Sequence, residues 1–171
     1  DIDELDEMLT DLLSYARLDR QSIRLEKTPV VPGEWLEQQV QSWKRDHPAL
    51  EITVRQTGLP EEPMACMDPK LMIRALHNLL QNACRYAETR IQVAFRHQAG
   101  CYRLSVEDDG CGIPEPYRDN IFDPFTRVDS SRERGSGGYG LGLAIVKQVA
   151  NAHGGKVCVD DSDLGGARFL L

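Results

Sequence analysis

Hydrophobic positions recur along the chain with two periods, and the period predicts where helices and strands lie. In residues 2–18, Ile2, Leu5, Leu9, Leu12, Leu13 and Ala16 fall at helical spacing with acidic residues between them. This is an amphipathic helix with one narrow apolar seam, suited to packing on another helix or to folding back on its own domain. Lys27–Pro32 reads as a short strand that its prolines confine to an edge or an entry. Glu34–Arg45 places Leu36, Val40 and Trp43 on one helical face, and Leu50–Gln56 alternates like a strand that Gly58 and Pro60 close. Met64–Met67 is a second short strand. Asp68-Pro69 then starts a helix, with Asp as N-cap and Pro at the first helical position. That helix runs to about Tyr86 on a stripe of Met72, Leu76, Leu80 and Ala83.

Arg90–His97 and Cys101–Glu107 alternate with period two around Gln98-Ala-Gly100, which predicts a β-hairpin. A polar loop to Pro114 and a short helix over Glu115–Phe122 follow. The two aromatics of Phe122-Asp-Pro-Phe125 are expected to anchor a loop on the core. Arg127, Arg132 and Arg134 give the next, glycine-flanked segment the character of a positively charged mobile lid. Leu141, Ile145 and Val149 then mark a buried helix stripe, with Gly154-Gly155 as its C-cap. Two last strands, Lys156–Asp160 and Ala167–Leu171, are joined by a turn at Leu164-Gly-Gly166.

With 171 residues the chain suffices for one substantial core plus an appended helix. Its 41% hydrophobic and 27% charged residues are those of a soluble globular protein, and the net charge of −7 argues against non-specific nucleic-acid binding. No apolar run has the length of a membrane span, and Asp1-Ile-Asp-Glu is not a signal peptide. The abrupt acidic start suggests a piece of something longer. Five cysteines (66, 84, 101, 111 and 158), without a C-x-x-C pair, fit reduced thiols better than disulfides or zinc.

Candidate chemistry concentrates in Gly135–Val146 (GSGGYGLGLAIV), where a glycine-rich loop feeds a helix N-terminus. Unpaired N–H groups and the helix dipole there favour an anion such as phosphate, though a plain surface loop reads the same way. No Gly-Lys-Ser/Thr follows, so this is not a P-loop. Gly135, Gly137 and Gly140 do match G-x-G-x-x-G, and Asp160 lies about twenty residues further on, as a dinucleotide fold requires. The preceding Asp129–Arg134 cannot be a core strand, which rejects that reading. On the 68–86 helix, Asn78, Asn82, Arg85 and Tyr86 share a polar stripe. Their side-chain oxygens suit Mg²⁺, or the stripe is simply solvated. In Glu107–Pro114, two glycines just past a strand let the backbone approach a flat ligand, and a carboxylate there could accept a purine amine proton.

Four motifs follow in one order, and together they resemble the catalytic, ATP-binding domain of bacterial sensor histidine kinases, members of the Bergerat-fold (GHKL) ATPases. Residues 78–86 (NLLQNACRY) are similar to the N box, 108–112 (DDGCG) to the G1 box, 122–125 (FDPF) to the F box and 138–143 (GYGLGL) to the G2 box. The resemblance covers roughly residues 25–171. Residues 1–20, ending in Leu13-Ser-Tyr-Ala-Arg-Leu18, resemble the end of the second helix of the dimerisation and phosphoacceptor hairpin. It implies a two-layer α/β (α+β) sandwich, a mixed and mostly antiparallel sheet packed on helices. Residues 1–20 would be hairpin helix, 21–27 linker and 28–171 catalytic domain.

The resemblance also implies roles. Asp108 accepts from the adenine amino group, Asn82 holds Mg²⁺ with Asn78 nearby, Tyr86 packs on the base and Arg85 steadies a phosphate. Gly110, Gly112 and Ile113 shape the adenine pocket. Arg127 and the lid residues Gly138, Tyr139, Gly140, Leu141, Gly142 and Leu143 face the phosphates. Hydrolytic relatives carry glutamate where this chain has Asn78, and an amide is no general base towards water. That favours phosphotransfer over the alternatives, a chaperone-type ATPase module or a non-catalytic nucleotide-binding regulator. Tyr139 replaces a small hydroxyl residue, and Gly165-Gly-Ala-Arg-Phe169 lacks a hydroxyl common at that motif.

Among the histidines, 47, 77, 97 and 153, none lies in a phosphoacceptor context. The chain is therefore expected to bind ATP without phosphorylating itself, and to be a monomer or weak dimer. The implied partners are its own hairpin, a response regulator and a second copy in the full-length protein. No nucleic acid is implied, and the membrane enters only through segments outside this sequence. The implied location is a cytoplasmic domain of an inner-membrane protein.

Overall fold

The computed structural model describes residues 9, 12, 13, 15, 16, 24–61, 63–127 and 140–171. In order these form β1 (Thr28–Val30), α1 (Pro32–Asp46), β2 (Glu51–Thr57), β3 (Ala65–Met67), α2 (Pro69–Tyr86), β4 (Arg90–Gln98), β5 (Cys101–Asp108), a 3₁₀ turn (Glu115–Tyr117), α3 (Gly142–Ala152), β6 (Cys158–Asp161) and β7 (Ala167–Leu170). Five strands make one sheet in the order β2-β4-β5-β7-β6, while β1 and β3 pair in a separate ribbon. The β2–β4 pair is parallel and the other three pairs are antiparallel. A parallel step needs a long crossover, which α2 supplies.

Alternation along each strand splits the sheet into two faces. One row of register partners crosses all five strands as Val54, Val93, Val106, Phe169 and Val159. Against this face pack Leu36 and Val40 of α1, Leu76, Leu79 and Leu80 of α2, and Ile145, Val146 and Val149 of α3. The neighbouring row, one residue along, is Thr53, Gln92, Glu107, Arg168 and Asp160. A slip of one residue would exchange the two rows, so burial of the apolar one pins the register. The result is the mixed two-layer sandwich that the resemblance implied.

Local signals set the element ends. Asp68 Oδ1 accepts the Lys70 and Leu71 N–H groups at 3.1 and 3.2 Å, capping α2 as expected. Its own N–H donates to His153 Nε2 at 3.0 Å, while His153 Nδ1 meets the Val149 carbonyl at 2.8 Å. That geometry assigns the proton to Nδ1 and ties the end of α3 to the start of α2. Gly154, at φ 78°, ends α3, with the Gly155 N–H on the Ala150 carbonyl and the Gly154 N–H on the Asn151 carbonyl, each at 2.9 Å. This is a Schellman cap. Ala99 and Gly100 both have positive φ, as a two-residue hairpin turn between right-twisted strands requires.

The structure corrects several expectations. Pro32 opens α1 rather than closing β1. The helix expected over Glu115–Phe122 is one 3₁₀ turn, followed by further three-residue turns such as Asn120 N–H to Tyr117 carbonyl. Pro114 and Pro116 remove N–H donors there and Asp119-Asn120 favours turns, so no α-helical ladder forms. Phe122 is buried, but Phe125 is 61% exposed at φ 66° and anchors nothing to the core. Strand β6 starts at Cys158, two residues later than expected. Of the expected 2–18 seam, Leu9, Leu12 and Leu13 are exposed, and Tyr15, off that seam, packs at the margin of the core. All five cysteines are free thiols; half-burial pushes Cys84 up to about 11. Among the described residues no helix is long and apolar enough to cross a membrane.

Candidate functional site

The last residue of β5, Asp108, is paired with Ile91 and so points to the helix side of the sheet. It is 2% exposed, yet it is not left bare. Oδ1 accepts the N–H groups of Gly110 at 2.9 Å and Ala167 at 3.2 Å, and the Asp108 carbonyl accepts the Gly166 N–H at 3.1 Å. Burial pushes the Asp108 carboxyl above its ordinary pKa and the Asp109 charge adds to this, while the two N–H donors oppose the rise. Oδ2 has no hydrogen-bond partner among the described residues, so one acceptor oxygen of a carboxyl held in place is available to a ligand.

Glycines let the chain close around it. A Cβ at Gly110 would overlap the Tyr86 carbonyl oxygen, and one at Gly166 would overlap Asp108 Oδ1. Both are backbone or buried contacts that cannot give way, so only glycine fits. Gly112 has φ 70°, and Ile113 packs at the core margin. Asp109 turns the other way and clamps the α2–β4 connection. Its carboxylate takes the N–H groups of Glu88, Thr89 and Arg90 at 2.9, 3.0 and 3.0 Å, and the Thr89 hydroxyl at 2.6 Å. Burial alone would raise its pKa, but these bonds outweigh it and hold the carboxyl well below the usual range. This clamp ties the chain just past the end of α2 to the end of β5.

The second half of the site joins α2 to the start of α3. Helix α3 begins at Gly142 with Leu141 in the N-cap position and no side-chain cap. Its first intrahelical bond is Ile145 N–H to the Leu141 carbonyl at 2.9 Å, and no described residue takes the earlier amides, which suits them to an anion. Leu141 is buried and Leu143 packs at the core margin, so the helix is anchored behind those amides. Asn78 Nδ2 donates to the Arg74 carbonyl at 2.9 Å, and its Oδ1 faces Gly142, 2.6 Å from where a Cβ would stand. Gly140, at φ 72°, touches the Phe125 backbone, and the Phe125 N–H donates to its carbonyl at 2.9 Å. Arg127 lies exposed just beyond. Asn82 sits one turn from both Asn78 and Tyr86, half-buried, with no side-chain hydrogen bond among the described residues. Arg85 and Tyr86 are exposed at the end of α2. Gly138 and Tyr139 lie outside the described residues, as do Arg132 and Arg134.

Residues 67–171 match the family model described as histidine kinase-, DNA gyrase B- and HSP90-like ATPase. The chain belongs to that ATPase family. Sensor protein RstB of Escherichia coli (strain K12) is 43% identical over 169 residues, covering 99% of this chain and 39% of RstB. The crystal structure of full-length ShkA in complex with AMPPNP superposes with a TM-score of 0.84 at 29% identity, over 98% of this chain and 35% of ShkA. ThkA, solved in complex with response regulator protein TrrA, shares the fold with a TM-score of 0.79 at 20% identity, over 99% of this chain and 47% of ThkA. The chain thus spans less than half the length of these sensor kinases, and within the ATPase family it corresponds to their ATP-binding catalytic domain.

Sequence reasoning gave no separate role to Asp109, inside the 108–112 motif, or to Gly166 and Ala167, inside the last glycine motif. The structure shows Asp109 clamping the α2–β4 connection and the Gly166 and Ala167 N–H groups holding Asp108. Ala167 acts through its backbone N–H, which carries no residue-type signal.

Proposed function

We propose that this domain holds ATP with the adenine amino group on Asp108 Oδ2, the base against Tyr86 and the phosphates at Gly140–Leu143. In the intact protein it donates the γ-phosphate to a histidine on the dimerisation hairpin, and a response regulator aspartate then receives it. The observation that carries this reading is the Asp108 carboxyl, buried and gripped through Oδ1 while Oδ2 stays available. Guanine presents a carbonyl oxygen where adenine has its amine, so two acceptors would face each other and GTP is rejected.

Asn82 would bring its amide oxygen to Mg²⁺, which takes most of its ligands from phosphate and water. Arg85 and Arg127 would steady the phosphates, with Gly138 and Tyr139 in the lid and Gly110, Gly112 and Ile113 shaping the base pocket. Asn78, held between the Arg74 carbonyl and Gly142, shapes the helix junction and cannot take a proton from water. That supports phosphotransfer over hydrolysis. The four histidines support an acceptor elsewhere. Both ring nitrogens of His153 are engaged, His47 stacks on Trp43, His77 meets Trp43 edge-on and His97 lies against Tyr102.

Residues 1–20 are proposed as the end of a hairpin helix, 21–27 as linker and 28–171 as the catalytic domain. The whole protein would be a homodimer anchored in the inner membrane with this domain in the cytoplasm. The ThkA–TrrA complex supports a response regulator as its partner. Calorimetric titration of ATP with Mg²⁺ tests the site on wild type and Asp108→Asn. Binding that the substitution weakens at least a hundredfold, with GTP silent, is expected; equal binding by both proteins would remove Asp108 from the adenine pocket.

A further inference from the structure

Asp108 is gripped by the residues that open β7, and those residues are in turn held by a turn with its own buried anchor. Ser162 is almost fully buried, and each of its polar groups is engaged. Its N–H donates to the Gly166 carbonyl and its carbonyl accepts the Gly165 N–H, each at 2.9 Å. Its hydroxyl oxygen accepts the Leu164 N–H at 3.0 Å, so the hydroxyl proton is directed elsewhere, to Glu107 Oε2 at 3.1 Å. Glu107 is 1% exposed on the polar face of the sheet, one residue before Asp108. Its other oxygen lies 3.5 Å from Gln92 Nε2, and Arg168 is its register partner on β7. A carboxylate this deeply buried needs such partners, and it has them.

Successive strand residues point to opposite faces, so Glu107 and Asp108 stand back to back. The 162–167 segment grips both: Ser162 holds Glu107 on one face, and the Gly166 and Ala167 amides hold Asp108 on the other. The Gly166 N–H on the Asp108 carbonyl and the Ala167 N–H on Oδ1 couple the turn to the carboxyl, so a shift of the turn changes what holds it. We infer that Glu107 and Ser162 are positioning residues that set adenine selectivity, by fixing the Gly166–Ala167 amides and through them the direction of Asp108 Oδ2. Ala167 makes this device necessary. With no side-chain hydroxyl at that position, the aim of Asp108 rests on backbone N–H groups, whose placement only the turn controls. The inference rests on the reading of Asp108 as the adenine acceptor.

The test measures ATP affinity and competition by millimolar GTP in the 171-residue chain, with thermal melting of every variant. Ser162→Ala and Glu107→Ala should each weaken ATP about tenfold with GTP little changed, so the ATP-to-GTP ratio falls, as loss of one positioning hydrogen bond predicts. Ser162→Thr keeps a hydroxyl and Glu107→Gln keeps an acceptor, so both should restore the ratio. A purely structural turn would lower the melting temperature and leave the ratio unchanged; that result in either alanine variant that remains folded overturns the inference. If Asp108→Asn collapses the ratio while the alanine variants do not, only the buttress fails. If Asp108→Asn changes nothing, the reading of Asp108 itself fails.

Discussion

Around Asp108 the described residues supply the N–H groups that fix one carboxyl oxygen, whereas none of them caps the amides at the start of α3. Asp108 and Asp109 take backbone N–H groups from both flanks, and three of those donors come from the α2–β4 connection. At the other end α3 starts without a side-chain cap, and Phe125 stands exposed in a left-handed conformation that costs a non-glycine residue about 1–2 kcal/mol. In the proposed nucleotide pose the base would meet the pre-formed half and the phosphates the uncapped helix end. A rigid acceptor can discriminate between bases because its direction is already fixed. A helix N-terminus without a side-chain cap can take phosphates on its amides, the kind of contact that positions a γ-phosphoryl group for transfer.

Substitutions that strike the two halves should therefore differ in kind. The largest effect is expected from Gly110→Ala, whose new Cβ runs into the Tyr86 carbonyl. It should abolish ATP binding in calorimetry and lower stability by about 3 kcal/mol in denaturant melts. Asp109→Asn comes next, at about 2 kcal/mol near neutral pH, since it weakens charge-assisted bonds from Glu88, Thr89 and Arg90. The sign follows from its lowered pKa. The stabilisation is complete above the unfolded pKa of about 3.9 and is lost as pH falls below it. Wild type should thus lose stability more steeply than Asp109→Asn below about pH 4, and parallel acid titrations would contradict the clamp.

On the open side, Gly142→Ala presses on the Asn78 amide, a side chain that can shift. A tenfold loss of ATP affinity, about 1.4 kcal/mol, is expected with a nearly unchanged melt. The smallest effect belongs to Phe125→Ala, below about 0.5 kcal/mol in stability because the ring buries little. A large drop in its melting temperature would show that the phosphate half is as tightly built as the base half.

Much of this was legible from neighbours in sequence. Asp68-Pro69 capped α2 where its residue types said it would, and Gln98-Ala-Gly100 turned the hairpin. The Asn78–Asn82 spacing set both amides one turn apart on α2, and Asn78 faces Gly142 at the start of α3. The misses lie where local preference was weak. Glu115–Phe122 had a helical look but too few donors. Phe125, apolar by type, was taken for an anchor although its backbone conformation turns it outward.

By itself the sequence determined the elements, their caps and the order of the glycine and asparagine motifs, because each of these depends on residues within a turn or two of one another. Only the tertiary structure decided how Asp108 is held. Its grip comes from Ala167, 59 positions along the chain, through an N–H that every residue type except proline possesses. Such a donor carries no signature in residue type. It acquires its role only when β7 is laid beside β5 in register, and burial of the valine–phenylalanine row sets that register.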